Sequence, residues 1–218
     1  SIDQSLKRLN LDYVDIFYHH RMDKETPIEE TMFALADIVK SGKALYVGVS
    51  NYDAEYTEKA VNILKEQHCP VIVNQRKYSI FDRTIEEDGV KAYCREAGVG
   101  IIAYSPLAQG LLSDKYLHGI PKDSRIARDD RFLHANDLTE ERLEQIRRLN
   151  DLARQRGETL TQMALSWVLK DEGVCSVLIG ASKPQQIIEN TSVVSCAKFT
   201  QEEIKMIDEI CTGKRAVV

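Results

Sequence analysis

Short β-branched runs alternate with amphipathic segments along almost the whole chain. Residues 13–20 (YVDIFYHH) read as a strand, and a helix with one apolar stripe is expected from about Pro27 to Lys40. Thr26 is its expected N-cap, with Pro27 at the first helical position, Glu29 and Glu30 in the first turn, and Gly42 at the stop. Residues 44–50 (ALYVGVS) form the next strand, after which Asp53 caps a helix reaching about Gln67. A very short strand is expected at 71–74, followed by a helix over 84–97 that Gly98 ends, and then a strand over 100–104 (GIIAY). The region from Ser105 to about Leu138 carries Gly110, Gly119 and Pro121 and shows no sustained period. A loop of such length inside a compact domain is usually functional. Helices are expected at 139–155, 161–169, 184–192 and 200–210, with a fifth strand at 176–179.

Strands that alternate with helices of 10–15 residues indicate βαβ units and a parallel α/β sheet. Such a sheet either stays open or closes into a (β/α)8 TIM barrel. No GxGxxG follows any of the strands, so the phosphate turn of the open dinucleotide-binding sheet is missing. Polar residues do stand at four strand ends: His20, Ser50-Asn51, Asn74-Gln75 and Tyr104-Ser105. A barrel gathers its active site at that face, which favours closure. About five of the eight strand–helix units of a barrel are legible, with residues 1–10 as the tail of a preceding helix. The expectation is a single domain over 1–218 that forms the C-terminal portion of a barrel, with three units upstream of Ser1.

Composition narrows the partners more than the chemistry. Of 218 residues, 43% are hydrophobic and 29% charged, and the formal net charge is −5. This mildly acidic balance gives no reason to expect nucleic acid or anionic membrane as a partner. No apolar run approaches the length of a membrane span. The five cysteines include no CxxC pair and no histidines at zinc-ligand spacing. No metal site is therefore expected, and buried or half-buried single thiols in a reducing cytoplasm are the simplest reading.

The strand ends carry a resemblance. LDYVDIFYHHR, GKALYVGVSNY, VNQRKYS, AYSPLAQGLLSDKY and LIGASKPQQIIEN resemble, in order and spacing, successive blocks of the aldo-keto reductases. GIPKDSR and the GAS…Q..EN block resemble the branch that holds the bacterial L-glyceraldehyde 3-phosphate/methylglyoxal reductases and the potassium-channel β-subunits. The resemblance implies a catalytic tetrad of Tyr, Lys, Asp and His. Its His falls on His20, and the other three fall on strands before residue 1. The channel subunits resemble this block but carry Asn where His20 stands, so His20 favours a working reductase. On chemistry alone, a lone His at a strand end is more often a hydrogen-bonded structural residue. His19 should face the opposite way from its neighbour and reads as structural.

The same resemblance implies a grip on NADP(H). Ser50, Asn51 and Gln75 offer paired donors and acceptors for the nicotinamide carboxamide, although polar turn residues ahead of Asp53 would look alike. Tyr104 offers a flat face for the nicotinamide ring, or is a core tyrosine. Backbone N–H groups in the loop of Ser105, Pro106, Leu107, Gln109 and Gly110 would meet a pyrophosphate, with Lys115 as a point charge and Arg125 as a forked donor. Gly180, Ser182, Gln186, Glu189 and Asn190 surround the start of the last barrel helix. There Ser182 suits a 2′-phosphate, and Glu189 and Asn190 suit the adenine. Ser182 as a plain N-cap ahead of Pro184 is the alternative. Other reductases of the family place Lys and Arg where Gly180 and Gln186 stand, which weakens the NADP preference.

The function implied is NADPH-dependent reduction of a small aldehyde of the glyceraldehyde 3-phosphate or methylglyoxal kind. The alternatives are a non-catalytic cofactor-binding interaction module like the channel β-subunits, or an inactive fragment. The branch assembles into larger rings or tetramers, so a homo-oligomer is within expectation. The physiological aldehyde stays open.

Overall fold

A computed structural model describes residues 1–122, 125–128 and 133–212, the side chains of residues 125, 128 and 135 excepted. The chain divides into two units, Ser1–Lys77 with Thr84–Ile102 and Gly173–Ser176, and Tyr78–Arg83 with Ala103–Glu172 and Val177–Val218.

The first unit alternates strand and helix as the hydrophobic pattern requires. Helix α1 (Ile2–Leu9) leads to β1 (Val14–His19), α2 (Ile28–Lys40), β2 (Ala44–Ser50), α3 (Ala54–Glu66) and β3 (Val71–Lys77). Next come α4 (Thr84–Glu87), α5 (Val90–Ala97), the first three residues of β4 (Gly100–Tyr104) and, much later in the chain, all but the last residue of β5 (Val174–Val177). The sheet order is β1-β2-β3-β4-β5, the order of the chain itself. β1 pairs with β2 and β2 with β3, both in parallel. Parallel neighbours need helical crossovers, and α2 and α3 supply them by burying Met32, Leu35, Ala36, Ala60 and Leu64.

Gly48 is needed where it stands in β2. A Cβ there would lie 2.7 Å from Cε1 of Tyr18 and 2.9 Å from Cγ2 of Val73, inside any real contact distance. The β2–β3 register shifts beside it, between Val47 and Gly48. Close approach of neighbouring side chains is a usual reason for glycine within a strand.

The second unit holds α6 (Arg125–Arg128), α7 (Glu140–Gln155), α8 (Leu160–Val168), α9 (Pro184–Thr191) and α10 (Gln201–Thr212). Ile146, Leu149, Met163, Leu165, Trp167 and Ile207 are fully or almost fully buried. Trp167 is thus core. Thr139 caps α7 by accepting from Arg142 N at 3.1 Å, and Thr159 caps α8 with a reciprocal bond to Gln162. Both follow the usual N-terminal logic.

Five expectations about elements need correction. Thr26 does not cap α2: Pro27 occupies that position, and the Thr26 hydroxyl donates instead to Asp23 at 2.7 Å. The helix expected over 84–97 breaks into α4 and α5, because Gly89 takes φ 81° and Asp88 accepts from Val90 N at 3.0 Å. β3 runs three residues past Asn74, to Lys77. β5 begins and ends two residues earlier than expected, and Cys175 on it is exposed rather than buried. The helix expected from Thr161 starts at Leu160, since Thr159 is the capping residue.

Candidate active site

In the first unit the ends of β1, β2 and β3 are tied together by polar side chains. The Ser50 hydroxyl donates to the main-chain oxygen of Gln75 at 3.0 Å, and Asn51 N donates to the same oxygen at 3.0 Å. One carbonyl accepts both because it has two lone pairs. The Asn51 side-chain amide then reaches Ser50 Oγ at 3.0 Å and the main-chain oxygen of His20 at 3.1 Å. Its backbone is left-handed, φ 59°, a conformation that asparagine tolerates and most residues avoid. His20, Ser50, Asn51 and Gln75 are therefore brought together as the sequence implied.

His20 stands just past β1 and is exposed. His19 is half-buried, with Nδ1 2.8 Å from the Tyr52 hydroxyl. Burial lowers the His19 pKa, outweighing the nearby Asp23 carboxylate, and burial pushes the Tyr52 phenol up to about 12. Two residues of this cluster escaped the sequence reading. Tyr52 follows a turn of Ser and Asn and looks like any core tyrosine. Burial raises the Tyr18 pKa, outweighing the lowering influence of the Gln75 side chain.

The second unit contains a cleft of about 750 Å³. Its lining includes Ser105, Pro106, Leu107, Gln109, Gly110, Lys115, Gly180, Ser182, Gln186, Glu189 and Asn190, all of which the sequence had singled out. Tyr104, half-buried at the last position of β4, is outside that lining, and its main-chain oxygen accepts from Tyr78 N at 3.3 Å. Arg125 opens α6, and its side chain lies outside the described ones.

The loop after β4 is strained where it lines the cleft. Ser105, Ala108 and Gln109 have φ of 53°, 47° and 61°, and Gly110 has 99°. Runs of left-handed residues that are not glycine cost free energy and collect at functional sites. They also turn successive N–H groups in ways that suit an anion. Gln109 Nε2 donates to Ser105 Oγ at 3.0 Å and closes the loop on itself. At the far side, Ser182 is not the N-cap of α9. Lys183 takes that position, and Gln186 Oε1 accepts from Ser182 N at 2.8 Å and Lys183 N at 3.2 Å.

The sequence reading missed Ser113, Asp114, Tyr116, Thr161, Leu178, Ile179 and Ala181 in the lining. Leu178 and Ile179 belong to the LIGAS run, and counting them as strand concealed them. Ser113 and Asp114 lie in the same loop as Lys115, and an accepting serine two residues before the lysine was the available signal: Lys115 N donates to Ser113 Oγ at 3.4 Å. Among the described residues no group of three or more His, Cys, Asp or Glu is arranged to hold a metal ion. No helix among them is long and apolar enough to cross a membrane.

Residues 1–212 match the sequence model of the aldo/keto reductase family. The chain belongs to that family. L-Glyceraldehyde 3-phosphate reductase of Escherichia coli is 50% identical over 212 residues, 96% of this chain and 61% of the relative. A putative voltage-gated potassium channel subunit beta of Schizosaccharomyces pombe is 37% identical over 214 residues, 96% of this chain and 62% of the relative. The chain thus spans about three-fifths of the length of these curated relatives. Among solved structures, a thermostable aldo-keto reductase in complex with the inhibitor epalrestat superposes with a TM-score of 0.74 at 32% identity, covering 96% of this chain and 64% of the other. The fold is accordingly the TIM-barrel-like α/β fold of aldo-keto reductases.

Proposed function

We propose that the protein carrying this chain reduces a small aldehyde, of the glyceraldehyde 3-phosphate or methylglyoxal kind, with NADPH as hydride source. The observation that carries the reading is the cleft of the second unit, whose lining includes the residues implied for the pyrophosphate and adenosine parts of the cofactor, Arg125 excepted. The donor set fits such a group. The left-handed turn of Ser105, Ala108 and Gln109 suits a pyrophosphate, and Lys115 adds an exposed positive charge. Asn190, 6% exposed, is a buried polar side chain in that lining and suits an adenine edge. Ser182 and Gln186 would hold the adenosine phosphate, with Arg125 as a further cation.

NADPH, when bound, supplies the hydride. The chain's own residues do the holding. The side-chain amides of Asn51 and Gln75, with the Ser50 hydroxyl, would pair with the nicotinamide carboxamide, and the Tyr104 ring would lie against its ring. His20 would donate to the substrate carbonyl oxygen, which orients the carbonyl and stabilises charge that grows on oxygen. The identity of the E. coli relative supports glyceraldehyde 3-phosphate or a similar aldehyde as substrate. A cytoplasmic homo-oligomer with no nucleic-acid or membrane partner belongs to the same proposal. His20 sets this reading above a non-catalytic module.

Calorimetric titration with NADPH and NADH, followed by NADPH oxidation with methylglyoxal, tests the proposal in the complete protein. Micromolar or tighter NADPH binding with saturable turnover is expected. Absence of binding to either cofactor would remove the basis of the reading.

A further inference from the structure

We propose that His19 and Tyr52 form a latch that positions His20, making His19 a positioning residue for the reaction. The inference rests on the reading of His20 as the group that holds the substrate carbonyl. Successive residues of a strand face opposite ways, so a ring fixed at position 19 fixes the peptide that carries residue 20. The His19 ring is fixed: Nδ1 lies 2.8 Å from the Tyr52 hydroxyl, and the two rings meet edge-on with centroids 5.9 Å apart. Burial also lowers the His19 pKa, which favours a neutral ring able to make this bond.

Tyr52 is a buried anchor. It is 1% exposed, and its main-chain oxygen accepts from Asn74 Nδ2 at 3.0 Å. The same oxygen accepts from the Arg76 guanidinium, which is paired with Asp88 at 2.6 Å. From the other side, the Asn51 amide donates to the His20 carbonyl at 3.1 Å. The left-handed backbone at Asn51 lets adjacent residues serve both ends, Asn51 on His20 and Tyr52 on His19. Residues 51 and 52 therefore grip residues 19 and 20 twice, once through a ring and once through a carbonyl. His20 needs such a grip, because it is exposed and stands at the start of a loop that turns at Asp23. An exposed imidazole on an untethered backbone spreads over many geometries, and catalysis falls steeply with misplacement.

The test uses the complete protein, with NADPH and methylglyoxal as probes. His19→Asn places an amide atom near the position of Nδ1, His19→Leu does not, and Tyr52→Phe removes only the hydroxyl. His19→Leu and Tyr52→Phe should each lower kcat about fivefold to tenfold, the scale of one positioning hydrogen bond, with KM for NADPH unchanged. Their combination should lose no more than either alone, and His19→Asn should keep most of kcat. Full kcat in Tyr52→Phe, additive losses, or equal losses in His19→Asn and His19→Leu overturn the latch. No turnover by the unaltered protein, or wild-type turnover by His20→Ala, overturns the catalytic reading instead. The latch is then read by NMR of 13C-labelled histidines: Tyr52→Phe should shift and broaden the His20 ring signals and leave those of His68 and His134 in place. Unchanged His20 signals in Tyr52→Phe contradict it.

Discussion

Gln186 Oε1 accepts from the backbone N–H of Ser182 at 2.8 Å, and so fills the anion-facing start of α9 with its own side chain. The same oxygen takes the Ser182 hydroxyl at 3.2 Å. A phosphate at this place has to displace a neutral cap, and it meets a weaker field than an arginine at position 186 would give. Gln186→Ala should cost about 1 kcal/mol in thermal unfolding, the usual worth of a lost cap. Gln186→Arg should raise the ratio of NADPH to NADH affinity about tenfold, because a guanidinium forks onto a phosphate. An unchanged ratio by calorimetry would place the adenosine phosphate elsewhere.

A second prediction concerns Gly48. Its hydrogen occupies space that Tyr18 and Val73 close over. Gly48→Ala should destabilise by about 1–3 kcal/mol, the range for overpacking a core. Urea unfolding of the variant gives the figure, and a neutral change would mean that β2 has slack at its register shift.

A third concerns Arg156 in the second unit. Its almost wholly buried guanidinium bonds Glu158 at 3.0 Å, Glu203 at 2.6 Å and the main-chain oxygen of Ala197 at 2.6 Å, and lies over the Phe199 ring at 3.9 Å. Removing it leaves two carboxylates without their partner, so Arg156→Ala should cost about 3–5 kcal/mol. Burial pushes the Glu203 carboxyl up, but the Thr200 N–H and the Arg156 guanidinium outweigh it and hold the pKa below its ordinary value of 4.5. A folded-state pKa that is lowered gives stability present above the unfolded pKa and lost as pH falls through the folded one. Melting temperatures should therefore fall as the pH drops below the ordinary carboxylate value of 4.5, and fall less in Glu203→Gln. Equal acid sensitivity in the two proteins would remove Glu203 from the account.

How much of this was legible beforehand follows from what sets each feature. Strand and helix alternation is written in the period of apolar residues, so β1, β2 and β4 came within a residue or two of their observed bounds. Breaks decided by one side chain were not legible: α4 and α5 part where Asp88 pairs with Arg76, twelve residues earlier in the chain. Strand ends drift for a similar reason. β3 continues to Lys77 through residues that are polar and half-exposed or exposed. Within the candidate site, residues came through when their block resembled a family. Tyr52 did not, because its role depends on His19, a partner 33 positions away.

The central claim, hydride transfer from NADPH to a small aldehyde with His20 on the carbonyl oxygen, is tested most directly with NADPH deuterated at the transferring carbon. With the complete protein and methylglyoxal, mass spectrometry of the product alcohol should find one deuterium on the former carbonyl carbon. His20→Ala should form the same product about 100-fold more slowly, with NADPH affinity little changed. Product without deuterium, or deuterated product formed at the full rate by His20→Ala, would contradict the account.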